Sequence, residues 1–325
     1  MDWLKAHQHP DCETEAMNFV TMSHPAGDGD GFATRVKRFM QRVLPLIMQG
    51  DIVLLEGGFR GYTHHTQGFD SVFMTFGSRP GSSAAASSLS PGSSVHALAP
   101  STALVPSAAP SLSSAWPHLL PVELKDKSKT WWYGVLCAYF LRPNPDMKGR
   151  MLDAAPHPLD LFIRSPKSSL CPEFLGVHLR YGDNLTGIQV PISKYIDAAR
   201  AAYLKHGVRL VYVATDSSVA FRQFVEGVSD LNLPMTFLHQ RGETGSAITD
   251  LLSVDFSRPG TSAAGKLIRS EKDTTIVMRN TSEVLFDMTI LSHCRVFVGL
   301  AISEVSRVSL AIGIARGNIV EYVLY

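Results

Sequence analysis

Residues 173–184 read EFLGVHLRYGDN, and residues 210–218 read LVYVATDSS. Each begins as an apolar run of strand length and ends abruptly in small and polar residues. In the first, Phe174 to Leu179 predicts a strand in which Val177 and Leu179 alternate with His178 and Arg180, so the polar pair shares one face. In the second, Leu210 to Ala214 predicts a strand that runs straight into Thr-Asp-Ser, the usual junction with a following helix. A helix over Pro191–His206, with Pro191 in its first turn, fits between them. Beyond them the spacing predicts a helix over 218–226, a strand over 235–238, a polar loop over 257–275 and a helix over 281–293. A strand over 296–300, a helix over 303–314 and a strand over 319–324 follow. Strands and helices alternating at this length make a parallel sheet covered on both faces, a doubly wound α/β domain over residues 173–325.

Toward the N-terminus the regularity fades. Trp131 to Leu141 (WWYGVLCAYFL) predicts a nearly all-apolar helix stopped by Pro143 and Pro145, within a helical connection over 119–172. Residues 78–118 are dominated by serine, alanine, proline and glycine. Such a segment buries too little surface to offset its ordering entropy and reads as a flexible insertion. Residues 1–77 hold a partial α/β half. Its helix carries Phe32, Val36, Phe39, Met40, Val43 and Ile47 on one face, with Arg35, Lys37, Arg38 and Arg42 mostly opposite. A glycine-rich loop, HPAGDGDGF, precedes that helix, and a buried strand, DIVLLE at 51–56, follows it.

Composition narrows the function classes. A formal net charge of +1, with no basic run interleaved with aromatics, argues against nucleic acid as a partner. No apolar stretch reaches the length of a membrane span. The four cysteines, Cys12, Cys137, Cys171 and Cys294, form no C-x-x-C pair, which argues against a zinc cluster and a dense disulfide framework. Cys137 and Cys294 sit in apolar contexts and read as core residues; a single disulfide stays open. No G-x-S-x-G, H-E-x-x-H or G-x-x-x-x-G-K-[ST] is present. His64 and His65 read as loop histidines.

Doubly wound sheets bind ligands beyond the carboxyl ends of their strands, and three such ends carry suitable groups. Arg180 can grip a phosphate with its planar fork of donors, with Asp183 holding it or a neighbouring amide. A salt bridge beside a hydrogen-bonded histidine explains His178 and Arg180 equally well. Asp216 either faces the crevice or, like the serine beside it, caps the next helix. Asp287 falls among Val284, Leu285, Met288 and Leu291, where a carboxylate needs a partner. Asn280, with Glu283 three residues on, fits a capping box. Ser303 and Glu304 open a helix just past a strand, where free backbone N–H groups and the helix dipole favour a diphosphate. Ser303 is equally an ordinary N-cap.

In order and spacing, WWYGVLCAYFLRPNP, GVHLRYGDN, VYVATDSS and LFDMTILSHCRVFVGLAISEVSRV resemble the alpha-1,6-fucosyltransferases, the core fucosyltransferases of N-glycans and their bacterial nodulation-factor relatives. The likeness spans roughly residues 120–315. It implies a GT-B-like fold of two Rossmann-like halves with the donor, GDP-fucose, in the C-terminal one. It also implies a metal-independent, inverting transfer to a glycan or glycoprotein acceptor, no cofactor beyond the donor, and work in the Golgi lumen, the bacterial cytoplasm being the compartment of the nodulation-type relatives. By the same resemblance Arg180 grips the β-phosphate, His178 supports the nucleotide, and Asp287 accepts hydrogen bonds from guanine. Ser303 holds the diphosphate, and Tyr195 and Asp216 line the donor site.

The sequence departs from the core type at several places. Tyr181 stands where a second arginine is expected, Asn184 for a lysine, Ser217 for a second acid, and Glu304 for a glutamine. The negative charge of Glu304 beside a diphosphate calls for an offsetting cation, Arg307 or another. The loop Leu185–Val190 is short and lacks the glutamate proposed as general base, leaving Asp183 as the nearest candidate for that role. Asn184-Leu185-Thr186 and Asn280-Thr281-Ser282 fit the N-glycosylation pattern, but a glycan at either would obstruct the donor site or a helix cap; both are expected to be unmodified.

Overall fold

The computed structural model describes residues 19–23, 32–48, 52–56, 127–155, 159–165, 172–181, 189–239 and 274–325. The expected insertion over 78–118, Asp183, Asn184, His64, His65, Cys12 and Cys171 lie outside the described residues.

The C-terminal half is organised by five parallel strands: β3 (Phe174–Leu179), β4 (Leu210–Thr215), β5 (Thr236–Leu238), β6 (Val296–Gly299) and β7 (Glu321–Leu324), in the order β5-β4-β3-β6-β7. The chain builds outward from β3 to one edge, then crosses back to add β6 and β7 on the other side. The reversal therefore falls between β3 and β6, where a doubly wound sheet opens a crevice at its carboxyl edge. β3 is buried along its whole length. Its registers, Val177 against Val213 and against Val298, bring the three central strands to nearly level ends.

Side-chain alternation sorts the core into two layers. Leu175, Val177, Leu179, Val211 and Val213 pack beneath α5 (Ile192–His206) and α6 (Ser218–Ser229). Phe174, Tyr212, Ala214 and Phe297 belong to the opposite layer with α7 (Thr274–Leu291) and α8 (Glu304–Arg316). Pro191 is the N-cap of α5, which therefore starts one residue after its predicted start, and Gly207 closes α5 in the left-handed conformation with φ 67°.

The second layer extends over helices from the N-terminal side: α1 (Phe32–Met48), α2 (Lys129–Phe140), α3 (Pro145–Ala154) and α4 (Asp160–Arg164). Val36, Phe39, Met40 and Val43 of α1 are buried, as the periodicity predicts. Arg35 is the exception, 2% exposed although the helical spacing sets it mostly opposite the apolar face. Its long apolar stem lets it lie in packed surroundings. Ser128 caps α2, accepting from the Trp131 amide at 3.2 Å. Pro145 does not only stop α2. It starts α3, with Asn144 accepting from the Met147 amide at 2.8 Å. At Gly134 the backbones of α2 and α8 nearly touch, for an added Cβ would lie 1.9 Å from the Ala311 carbonyl oxygen.

Two short strands, β1 (Phe19–Ser23) and β2 (Ile52–Glu56), pair in parallel around α1. β2 matches the predicted DIVLLE strand; β1 was not anticipated. Among the described residues, Cys137 and Cys294 are buried free thiols, and no helix is long and apolar enough to cross a membrane.

One local expectation fails. Helix α7 starts at Thr274, so Asn280 lies inside it and is no N-cap. A capping box is a local option for two side chains. Once a helix has nucleated upstream, extending it by a residue is easier than starting it anew.

Candidate functional site

The polar groups of the crevice are set by what ends β3, β4 and β6. Ser217, not Asp216, caps α6: its hydroxyl accepts from the Ala220 amide at 3.2 Å. Asp216 is thereby released from capping and binds across the strand ends. Its Oδ2 meets Arg180 Nη1 at 2.5 Å, and its Oδ1 accepts from the Tyr181 amide at 2.8 Å. Asp216 thus supplies both contacts foreseen for Asp183. Arg180 keeps 38% of its side chain exposed, so the guanidinium still fronts solvent.

His178 points to the layer of α8, where its Nδ1 lies 2.7 Å from Ser306 Oγ. The same hydroxyl accepts from the Leu300 amide at 3.1 Å. The Ser306 hydroxyl has one proton and a second lone pair to offer Nδ1; when it donates, the imidazole proton sits on Nε2. Burial, then the Arg180 charge, lower the His178 pKa to about 4, against an opposing pull from Asp216, so the ring is neutral near pH 7.

Asp287 has the partner that its apolar surroundings demand. The Tyr212 hydroxyl donates to its Oδ1. Burial, with smaller pushes from Glu283 and Asp216, raises its pKa to about 7 against the pull of that hydrogen bond. The Asp216 charge, paired with Arg180, bears weakly on both His178 and Asp287.

Ser303 holds the N-cap position of α8, but its hydroxyl makes no capping hydrogen bond. The first-turn amides of a helix have no intrahelical acceptors, and they gather the positive end of the helix dipole. Glu304 stands apart from the other candidates. Its carboxylate binds Lys37 of α1 at 2.7 Å and Arg307 at 3.0 Å. The cation that the sequence required is therefore two cations, one of them distant in the chain.

Tyr195 is 1% exposed in the layer beneath α5, its ring edge-to-face with Tyr325 at 5.2 Å. Burial raises its pKa, with Tyr181 and Tyr325 adding to the effect. The Tyr181 hydroxyl donates to the Val190 carbonyl, closing the loop that starts after β3.

The structure therefore pairs Arg180 with Asp216, ties His178 to Ser306 and Asp287 to Tyr212, sets Ser303 at the opening of α8, turns Glu304 toward α1, and packs Tyr195 in the core. Sequence reasoning missed Ser306, Tyr212 and Lys37. Ser306 had a faint signal, one helical turn beyond Ser303. Tyr212 had another, as the one hydroxyl-bearing aromatic in an apolar strand.

Fold and site define a doubly wound α/β protein with a charged pair, Arg180 and Asp216, at the carboxyl ends of β3 and β4. No protein-family model matches the chain, and no curated protein matches it. Among solved structures it is similar to POFUT1 in complex with GDP-fucose, at 11% identity over 65% of this chain and 52% of that one, with a TM-score of 0.35. It is also similar to the NodZ alpha-1,6-fucosyltransferase soaked with GDP-fucose, at 12% identity over 95% of each chain and a TM-score of 0.46. For fucosyltransferase NodZ from Bradyrhizobium the values are 14%, 58% of this chain, 48% of that chain and 0.29. The matched region spans about half the length of POFUT1.

Proposed function

We propose that this chain is a glycosyltransferase that moves fucose from GDP-fucose to a glycan. The observation that carries the reading is the pairing of Arg180 with Asp216 at the carboxyl ends of β3 and β4, on the strand whose His178 is tied to Ser306 of α8. These residues lie in the strings that resemble the alpha-1,6-fucosyltransferases.

In this reading Arg180, steadied by Asp216, binds the β-phosphate. The first-turn amides of α8 and the Ser303 hydroxyl take the remaining diphosphate oxygens. His178 offers its Nε2 proton to the nucleotide, and Asp287 accepts from the guanine edge. As the acceptor hydroxyl attacks the anomeric carbon, the bond to the diphosphate breaks and negative charge gathers on departing GDP. Donors fixed in advance stabilise that charge without a metal ion or other cofactor. The acceptor's proton passes to a base, for which Asp183 is the candidate. The acceptor is a glycan or glycoprotein, in the finer reading the innermost N-acetylglucosamine of an N-glycan in alpha-1,6 linkage, and the compartment is the Golgi lumen.

The second reading is a homologue that binds the donor or a glycan without turnover. It is favoured by the missing glutamate in the Leu185–Val190 loop and by Glu304.

The test is a heat-denaturation series with GDP, GDP-fucose and UDP-sugars, followed by a transfer assay. Ligand at about a hundred times its dissociation constant adds about 2.7 kcal/mol of stability. The guanine nucleotides should raise the midpoint and the uridine ones should not, and Arg180→Ala should abolish the shift with the fold intact. No response to any guanine nucleotide overturns the first reading and donor binding in the second; a shift without hydrolysis or transfer selects the second.

A further inference from the structure

A cleft opens at the other end of the sheet. It has a volume of about 250 Å³ and lies among α2, α3, α4, α7 and α8. His293 precedes β6 and Arg316 precedes β7, so the cleft sits by the amino ends of these strands, away from the crevice described above.

Its floor is apolar, with Met151, Phe162, Leu285 and Met288 among the walls. Its charged lining is of one sign: Arg142, Lys148 and Arg316. No carboxylate lines it, and none pairs with these three among the described residues. Arg142 is fixed by its Nε–H bond to the Tyr139 carbonyl at 2.8 Å and by stacking 4.0 Å over the Tyr139 ring. Arg316 Nη1 donates to Ser292 Oγ and to His293 Nε2, each at 2.9 Å. Those acceptors are neutral. Burial and the Arg316 charge lower the His293 pKa to about 3, so the imidazole adds no charge near pH 7.

Two arginines held in place by neutral acceptors, with a lysine beside them, form a pre-oriented anion receptor over an apolar floor. A cavity of roughly 150 Å³ suffices for benzene. The larger volume here leaves room for a headgroup on such a ring. We propose that this cleft is a second ligand site, for a small oxyanion, carboxylate or phosphate, carried on an apolar body. It is independent of the donor crevice.

The test measures the denaturation midpoint of the full chain with benzoate, phenyl phosphate and uncharged benzamide, in the native sequence and in Arg316→Gln, Lys148→Gln and Arg180→Gln. One or both anions should raise the midpoint saturably, their ratio identifying the headgroup, while benzamide should not. Lys148→Gln and Arg316→Gln should each weaken the anion by about tenfold, the worth of one charge-assisted contact, and Arg180→Gln should leave it unchanged. If Arg316→Gln does not fold, Lys148→Gln, at a half-buried position, decides alone. An equal shift with benzamide, no shift with either anion, or a shift lost in Arg180→Gln but kept in Lys148→Gln overturns the proposal.

Discussion

His178 Nδ1 and Ser306 Oγ, 2.7 Å apart and both buried, join the central strand β3 to helix α8 across the point where the strand order reverses. Ser306→Ala removes the hydroxyl and leaves both the imidazole nitrogen and the Leu300 amide without that partner. The expected cost is about 1–3 kcal/mol, read as a lower urea midpoint. His178→Ala should cost as much and also weaken GDP. Unchanged midpoints in both variants would show that the pair holds nothing.

Asp216 performs two tasks that one substitution can separate. Asp216→Asn keeps an oxygen for the Tyr181 amide but loses the charge beside Arg180. GDP affinity should fall by about tenfold with little change in stability, whereas Asp216→Ala should lose both. Calorimetric titration with GDP, paired with a denaturation curve, checks this.

Glu304→Gln removes a negative charge at the opening of α8. GDP should bind more tightly, by up to about tenfold, while loss of the Lys37 and Arg307 pairs costs about 1 kcal/mol of stability. Weaker GDP binding in Glu304→Gln would mean that the carboxylate serves the nucleotide.

Asp287 gives a pH signature. Its folded pKa of about 7 lies above the ordinary 3.8, so the native state holds a proton that the unfolded chain has released across that window. Stability from this group is full below about pH 4 and is lost as pH rises through about 7. His178 runs the other way: its pKa is lowered from 6.5 to about 4, so its contribution is present above 6.5 and lost as pH falls through 4. Comparing the native sequence with Asp287→Asn cancels the histidines. The difference should move against the native protein by at most about 1.4 kcal/mol per pH unit as pH rises between those limits. Parallel stability curves would refute it.

Ser217→Ala tests the cap that frees Asp216. It should cost about 1 kcal/mol, with GDP affinity nearly unchanged.

Much of the C-terminal sheet was legible because its strands are short apolar runs closed by turn residues; β3 matches its predicted bounds. The shared face of His178 and Arg180 follows from strand alternation alone. What escaped depends on contacts between distant segments. Tyr212 and Asp287 are separated by 75 positions, and Lys37 and Glu304 by 267, so no local pattern links them. β1 lacked a signal of its own, since a two-stranded pair is specified by its neighbour as much as by its residues. Helix α3 hid behind Pro145, which serves equally to end one helix and to begin another.

The near contact of Gly134 with the Ala311 carbonyl makes α8 a rail clamped against α2. A side chain at position 134 would have to push α8 away from α2. In the proposed donor site the dipole of α8 is then a fixed element, and selectivity falls to the side chains and loops around it.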